Sequence, residues 1–183
     1  MKRKLLLITA ALCMTALSSN AQVEGAYLYT KNFQALGFGG FLNFKFPFTE
    51  AANLTTEVGL YNFQKDGNSL AMIPLMLGYQ YTFDGSGTGL FAEPILGYTF
   101  GDSNVPQYDD IGEIPDPNNP GYSLKQMAKG PTAAFATGYI FPGRTPVSIA
   151  LKYQRVFVSS GPGVNVATLR FSYPLFGGRR NDY

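Results

Sequence analysis

The sequence predicts an all-β fold: an eight-stranded antiparallel transmembrane up-and-down β-barrel, a meander in which each strand pairs with its chain neighbours. Three observations predict it. Segments of roughly ten residues alternate apolar with small or polar side chains, the period of two that marks a strand with unlike faces. The links between segments are rich in Gly, Pro, Asp and Asn, and short links alternate with longer ones. The few charges inside the segments fall almost entirely on one face.

The chain opens on what reads as a targeting signal. Lys2, Arg3 and Lys4 form a positive start, and Leu5 to Leu17 follow as an uncharged apolar run of 13 residues. Ser18-Ser19-Asn20-Ala21 then offers small residues for cleavage before Gln22, the pattern of a secretory signal. The apolar run is shorter than the ~17 to 25 residues a membrane-spanning helix needs. The one cysteine, Cys13, lies in mid-run behind Leu12. Lipoprotein processing wants a small residue there, so that route is set aside. The expected division is a cleaved signal over 1–21, a barrel over 22–176 and a short periplasmic tail over 177–183.

The strands follow in order. Glu24 to Lys31 is a short first segment. Leu36 to Phe48 sets Leu36, Phe38, Leu42, Phe44, Phe46 and Phe48 against Gly37, Gly39, Asn43, Lys45 and Pro47. Asn53 to Phe63 is softer, with Leu54, Val58 and Leu60 against Thr55, Glu57 and Gly59. Ala71 to Phe83 is the clearest, with Ile73, Leu75, Leu77, Tyr79, Tyr81 and Phe83 against Pro74, Met76, Gly78, Gln80 and Thr82. Gly89 to Phe100 opposes Leu90, Pro94, Leu96 and Tyr98 to Glu93, Gly97 and Thr99. Thr132 to Phe141 alternates aromatics with small residues. Val147 to Phe157 opposes Ile149, Leu151 and Tyr153 to Ser148, Lys152 and Gln154. Ala167 to Leu175 closes the series, with Leu169, Phe171, Tyr173 and Leu175 against Thr168, Arg170 and Ser172.

Tight turns at Thr49-Glu50-Ala51, Asp84-Gly85-Ser86-Gly87 and Gly143-Arg144-Thr145 alternate with links at Asn32-Phe33, Lys65–Asn68, Asp102–Gly130 and Ser159–Gly163. Short turns at one end and variable loops at the other are the asymmetry of an outer-membrane barrel. An even strand number leaves both termini on the short-turn side, the periplasm.

A soluble lipocalin-like carrier would also have eight strands, but with its apolar face inward and its charge outward. The apolar faces here carry one charge, Arg155, whereas the opposite faces carry Lys45, Glu57, Glu93, Lys152 and Arg170. Placed inside a narrow barrel, these five form an expected interior network, because charges there persist only when paired. Phe46, Phe48, Tyr79, Tyr81, Phe83, Tyr139, Phe141 and Tyr173 gather at the short-turn ends, the pattern of an aromatic girdle at a membrane interface.

The run Ile73-Pro74-Leu75-Met76-Leu77-Gly78-Tyr79-Gln80-Tyr81, followed after a turn by Leu90-Phe91-Ala92-Glu93-Pro94-Ile95-Leu96-Gly97-Tyr98, resembles the central strands of small outer-membrane barrels. These are the OmpA/OmpX-like proteins, especially the porin-family barrels common in Bacteroidetes, a Gram-negative lineage that the signal ending Asn20-Ala21-Gln22 also resembles. The resemblance implies insertion by the barrel-assembly machinery, which reads an aromatic-ended last strand. Leu169, Phe171, Tyr173 and Leu175, with Phe176 beside them, are similar to such a signal, although Gly177–Tyr183 extends beyond it. Outer-membrane lipid and lipopolysaccharide are the expected surroundings, and a place as subunit of a larger outer-membrane complex is a further alternative role.

Composition narrows the chemistry. The chain has no His and no Trp, and charged residues make up 14% against 15% aromatics. A Ser-His-Asp or Cys-His nucleophile cannot be assembled, nor a zinc site of the usual donor set, so neither catalysis nor a cofactor is expected. The net charge of +2 gives no basic patch for nucleic acid. Eight strands leave an interior filled by side chains, which argues against a pore, the main alternative role. The stretch Asp102–Gly130 concentrates Asp102, Asp109, Asp110, Glu113 and Asp116. It is a candidate site for a cation or an external partner, although its spacing matches no EF-hand. The expected role is structural, surface-interacting or accessory.

Overall fold

In the computed structural model, which describes residues 18–31, 33–106, 113–119, 121–125, 127–159 and 163–175, eight antiparallel strands close into a single barrel in chain order. They are β1 (Ser18–Tyr29), β2 (Gln34–Pro47), β3 (Ala52–Lys65), β4 (Asn68–Thr82), β5 (Gly89–Ser103), β6 (Gly130–Ile140), β7 (Ser148–Val156) and β8 (Val164–Pro174). The seam is the β1–β8 pair, in which Glu24 stands opposite Arg170. Closure gives every strand two partners and leaves no edge to template aggregation.

The period of two is visible in burial. β7 alternates without a break: Ile149, Leu151, Tyr153 and Arg155 face out, and Ser148, Ala150, Lys152, Gln154 and Val156 face in. β4 does the same from Leu70 to Thr82. The outer wall is therefore apolar, with Leu36, Phe38, Leu77 and Leu96 each more than half exposed. The inward face takes the polar and small residues, the inverse of a water-soluble barrel.

β1 departs from expectation. It begins at Ser18 instead of Glu24, because Ser18 to Val23 pair in unbroken register with Lys45 to Gly40 of β2. It ends at Tyr29 instead of Lys31, because the Thr30 hydroxyl accepts the Phe33 amide at 2.9 Å and turns the chain. Its inward face mixes Gln22 and Glu24 with Ala26 and Leu28, so the sequence offers little contrast between faces. The expected cleavage point before Gln22 thus falls inside β1. The rest of the expected signal, residues 1–17, lies outside the described residues, as does the tail after Leu175.

Two links also differ. Asp102 belongs to β5, paired with Ala71 of β4, so the long loop spans 104–129. The β3–β4 connection is a two-residue turn with Asp66 and Gly67 at φ 52° and 78°, the left-handed pair of a type I′ hairpin. One of the tightest turns therefore sits at the loop end, and the asymmetry between ends rests on 104–129 and 157–163. The long loop folds back on itself: Pro106 bridges to Lys125 and Pro115 to Ser123, and the Leu124 amide donates to the Ile114 carbonyl at 2.8 Å.

The core lies inside the barrel in layers. Towards the loop end an apolar plug packs Leu28, Phe33, Phe63, Leu70, Met72 and Val156 together. A small cluster of Met76, Ile95 and Ala136 lies level with the charge, Met76 paired with Glu57 and Ala136 with Glu93 and Lys152, while towards the short turns Phe91/Ile140/Ala150 sit among the buried amides and hydroxyls of Gln22, Asn43, Gln80, Ser148 and Ser172. Between these layers lies the charge.

Candidate functional site: an ion cluster across the barrel

Five strands each direct one ionised side chain to the middle of the barrel. β1, β3 and β5 supply Glu24, Glu57 and Glu93; β7 and β8 supply Lys152 and Arg170. All five are at most 3% exposed. The Arg170 guanidinium spends each nitrogen on a different carboxylate: Nε on Glu24 at 2.9 Å, Nη1 on Glu93 at 3.1 Å and Nη2 on Glu57 at 2.5 Å. Lys152 Nζ lies 2.7 Å from Glu24 Oε1 and 2.7 Å from Glu57 Oε1. The remaining carboxylate oxygens are met by hydroxyls. Tyr61 donates to Glu24 Oε2, and Thr55 donates to Glu93 Oε1 at 2.6 Å.

Every carboxylate oxygen of the three acids therefore has a donor. That matters because an ion removed from water costs several kcal/mol (about that order) unless its lone pairs are taken up. What the cluster does mechanically is tie β1, β3, β5, β7 and β8 to one point.

Glycines make the room. A β-carbon on Gly59 would come within 2.1 Å of Phe41 Cδ1, and one on Gly39 within 2.6 Å of both the Phe41 and the Tyr61 rings. The Phe41 ring thus lies over bare backbone and meets Tyr61 edge-on, with centroids 4.7 Å apart. Lys152 Nζ sits 4.7 Å from the Phe41 centroid, a cation–π contact that adds to its two carboxylates. A β-carbon on Gly78 would meet Thr55 Oγ1 at 2.5 Å and Glu93 Oε1 at 3.0 Å, so this glycine clears the space for the Thr55–Glu93 bond.

Of the five residues expected to form the interior network, Glu57, Glu93, Lys152 and Arg170 come together. Lys45 does not join the ion pairs. It sits nearer the short turns and donates to Gln80 Oε1 at 2.9 Å. Glu24 takes the place in the cluster that sequence reasoning had not given it, together with Tyr61 and Thr55. Glu24 was missed because its strand showed no clear alternation; its position opposite Arg170 becomes evident only once the barrel closes.

The described members of the expected loop acids, Asp102, Glu113 and Asp116, are not gathered. Asp102 sits at the end of β5 and accepts the Ser103 amide at 2.8 Å. Glu113 accepts the Ser123 hydroxyl, and Asp116 accepts the Asn118 amide at 2.9 Å, so both serve the loop's own turns. Asp109 and Asp110 lie outside the described residues. Among the described residues no group of three His, Cys, Asp or Glu side chains stands close enough to hold a metal.

The eight aromatics expected at the short-turn end, Phe46, Phe48, Tyr79, Tyr81, Phe83, Tyr139, Phe141 and Tyr173, are all exposed on the outer wall. Tyr81 meets Phe83, and Tyr139 meets Phe141, in edge-on contacts with centroids 5.7 Å and 5.0 Å apart. A second band that sequence reasoning did not single out circles the loop end. There Tyr27, Phe100, Tyr153 and Phe157 are exposed, and the Tyr29 and Tyr153 hydroxyls lie 3.3 Å apart. Inspecting both ends of each segment for aromatics would have found it.

No known family and no curated protein matches this chain. Among solved structures it is similar to Neisserial surface protein A, with a TM-score of 0.65 and 12% identity over 87% of this chain and 96% of that one. It is similar also to Ail, the attachment invasion locus protein of Yersinia pestis, with a TM-score of 0.58 and 11% identity over 87% of this chain and 97% of that one. The likeness to the outer membrane enzyme PagL is weaker, with a TM-score of 0.48 at 11% identity over 84% of this chain and 99% of that one. At such identities the likeness establishes architecture: the chain has the fold of the small, OmpA/OmpX-like outer-membrane barrels.

Proposed function

We propose that this chain is an integral outer-membrane barrel with a sealed interior, serving as a structural, surface-interacting or accessory component without catalysis. The observation that carries this reading is the barrel's inverted polarity. Leucine, phenylalanine and tyrosine cover the wall, while three carboxylates and two cations are bonded together on the axis. A wall of that kind is stable against lipid and not against water. The two aromatic bands fit the two headgroup interfaces.

The seal has two parts. Arg170 holds carboxylates from three other strands, and the apolar layer of Leu28, Phe63, Leu70 and Val156 lies between that cluster and the loop end. An ion crossing the barrel would have to break the first and be desolvated by the second. In this reading residues 1–21 are removed on export, both termini lie in the periplasm, and the barrel-assembly machinery inserts the chain. A place in a larger complex is compatible with the same wall.

Reconstitution into planar bilayers tests the seal. Protein shown to be folded by its heat-dependent shift on a denaturing gel should give no stepwise conductance at neutral pH. Reproducible steps would replace this reading with that of a small pore.

A further inference from the structure

Among the described residues, the outward-facing strand positions carry two charges, Asp102 and Arg155. Asp102 already accepts a backbone amide. Arg155 is different. It lies next to last in β7, and its ladder neighbours are Ala133 on β6 and Asn165 on β8, so no carboxylate stands opposite it. Its guanidinium carbon lies 5.5 Å from the Phe157 centroid, and a β-carbon on Gly163 would stand 3.6 Å from its Nε. The side chain is thus braced by an aromatic ring just past the end of β7 and by bare backbone just before β8. It has no ion pair among the described residues.

An arginine on a lipid-facing wall costs about 2–4 kcal/mol at mid-bilayer and about 0–1 near an interface. Its neighbours place Arg155 at such an interface. Tyr153 donates to Asn165 Oδ1 at 2.8 Å, Tyr29 and Tyr153 share a hydroxyl contact at 3.3 Å, and Tyr27 donates to Gln34 Oε1 at 2.9 Å. Hydroxyls and amides in one band on an otherwise apolar wall mark headgroup depth. Exposed Lys129 continues the outward alternation of Pro131 and Ala133 on the adjoining strand, on the Arg155 side of the barrel. Among the described residues the short-turn end of the wall has no equivalent: its outward strand positions include Phe46, Leu54, Tyr79, Tyr81, Leu90 and Tyr173, and none is charged.

We propose that Arg155, assisted by Lys129, binds the phosphate of a lipid headgroup in the leaflet that the long loop faces. The anions at headgroup depth are phosphates, and the planar guanidinium presents paired N–H donors that fit phosphate oxygens two at a time. Asn165, directly across the ladder from Arg155, has its Oδ1 taken by Tyr153 and so turns its Nδ2 amide to a further headgroup oxygen. This rests on the outer-membrane reading and on the orientation that puts residues 104–129 outside the cell.

The test uses the full barrel folded in detergent and native mass spectrometry with bisphosphorylated lipid A, the same lipid after phosphatase treatment, and inorganic phosphate. Wild type should retain the phosphorylated lipid and hold the dephosphorylated one about tenfold more weakly, the loss of one charge-assisted bond. Arg155→Gln should lower retention of the phosphorylated lipid by about the same factor. Lys129→Gln should lower it less, and Arg155→Lys should restore part of it. Equal retention of both lipids by wild type, or of the phosphorylated lipid by wild type and Arg155→Gln, would overturn the proposal. Displacement of the lipid by millimolar inorganic phosphate would overturn the lipid assignment in favour of the free ion. The dephosphorylated-lipid arm needs no mutant, so it stands even if a variant fails to fold. Protease cleavage of the 104–129 loop on intact cells checks the orientation separately, so its failure is distinguishable from failure of the phosphate site.

Discussion

Gly59 of β3 lies directly beneath the ring of Phe41 on β2, so close that a β-carbon would stand 2.1 Å from Phe41 Cδ1. The contact reaches the ion cluster, because the same ring faces the Lys152 ammonium at 4.7 Å. Gly59→Val should therefore displace Phe41 and disturb Lys152, lowering stability by about 1–3 kcal/mol, as overpacked cores do. The readout is the temperature at which the folded band disappears from a denaturing gel. Gly40→Ala on the neighbouring strand, where a β-carbon meets nothing within 4 Å, is the control and should leave that temperature nearly unchanged.

Arg170 is the residue whose loss the cluster tolerates least. Arg170→Met would leave Glu24 and Glu57 sharing Lys152 and would remove the ion pair that holds Glu93. Breaking a buried ion network from one side costs about 3–5 kcal/mol, because charge is left uncompensated. Adding Glu57→Gln and Glu93→Gln to Arg170→Met should recover part of that loss. Urea unfolding in lipid vesicles would show it, and a triple variant no more stable than Arg170→Met would argue against charge compensation as the cause.

Leu77 faces outward at 58% exposure, next to Met76, which pairs with Glu57 at the level of the ion cluster. Leu77→Arg should cost about 2–4 kcal/mol if lipid covers the wall at that depth. Gln64→Arg, near the loop end of β3, should cost about 0–1 kcal/mol. Folding equilibria in vesicles measure both. Equal and negligible effects would mean that water, not lipid, meets the mid-wall.

Asp84 lies outside the wall, in the turn after β4. The Ser86 hydroxyl, at 2.8 Å, and the Ser86 amide, at 3.1 Å, hold its carboxyl below the ordinary value of 3.8. A depressed carboxylate contributes stability above its unfolded value, and that contribution is lost as pH falls through the folded one. Titration of the Asp84 carboxyl followed by NMR in micelles should give a midpoint below 3.8, and Ser86→Ala should move it up towards 3.8. A midpoint unmoved by Ser86→Ala would remove the hydroxyl as the cause.

Much of the barrel was legible because alternation is local. Ile73 to Phe83 shows its two faces within a dozen residues or so, and a strand whose faces meet lipid and packed interior must show them. The same contrast placed Glu57, Glu93, Lys152 and Arg170 inside and Arg155 outside. It failed at β1, where Gln22 and Glu24 share a face with Ala26 and Leu28 and no contrast exists to read. It overstated the long loop at Asp102, which continues β5 because Ala71 of β4 is there to pair with it.

The sequence by itself determined the class, the strand number and the face to which each clear charge belongs, all consequences of a two-residue period. Which charges meet was decided only by the tertiary structure. Glu24 and Arg170 are 146 residues apart and become neighbours because the first and last strands close the barrel. Lys45 shares the inward face with the cluster but stands too near the short turns, where Gln80 is its partner. Face is a property of one strand. Height along the axis and position around it depend on the register of all eight, and no short stretch of the chain encodes that.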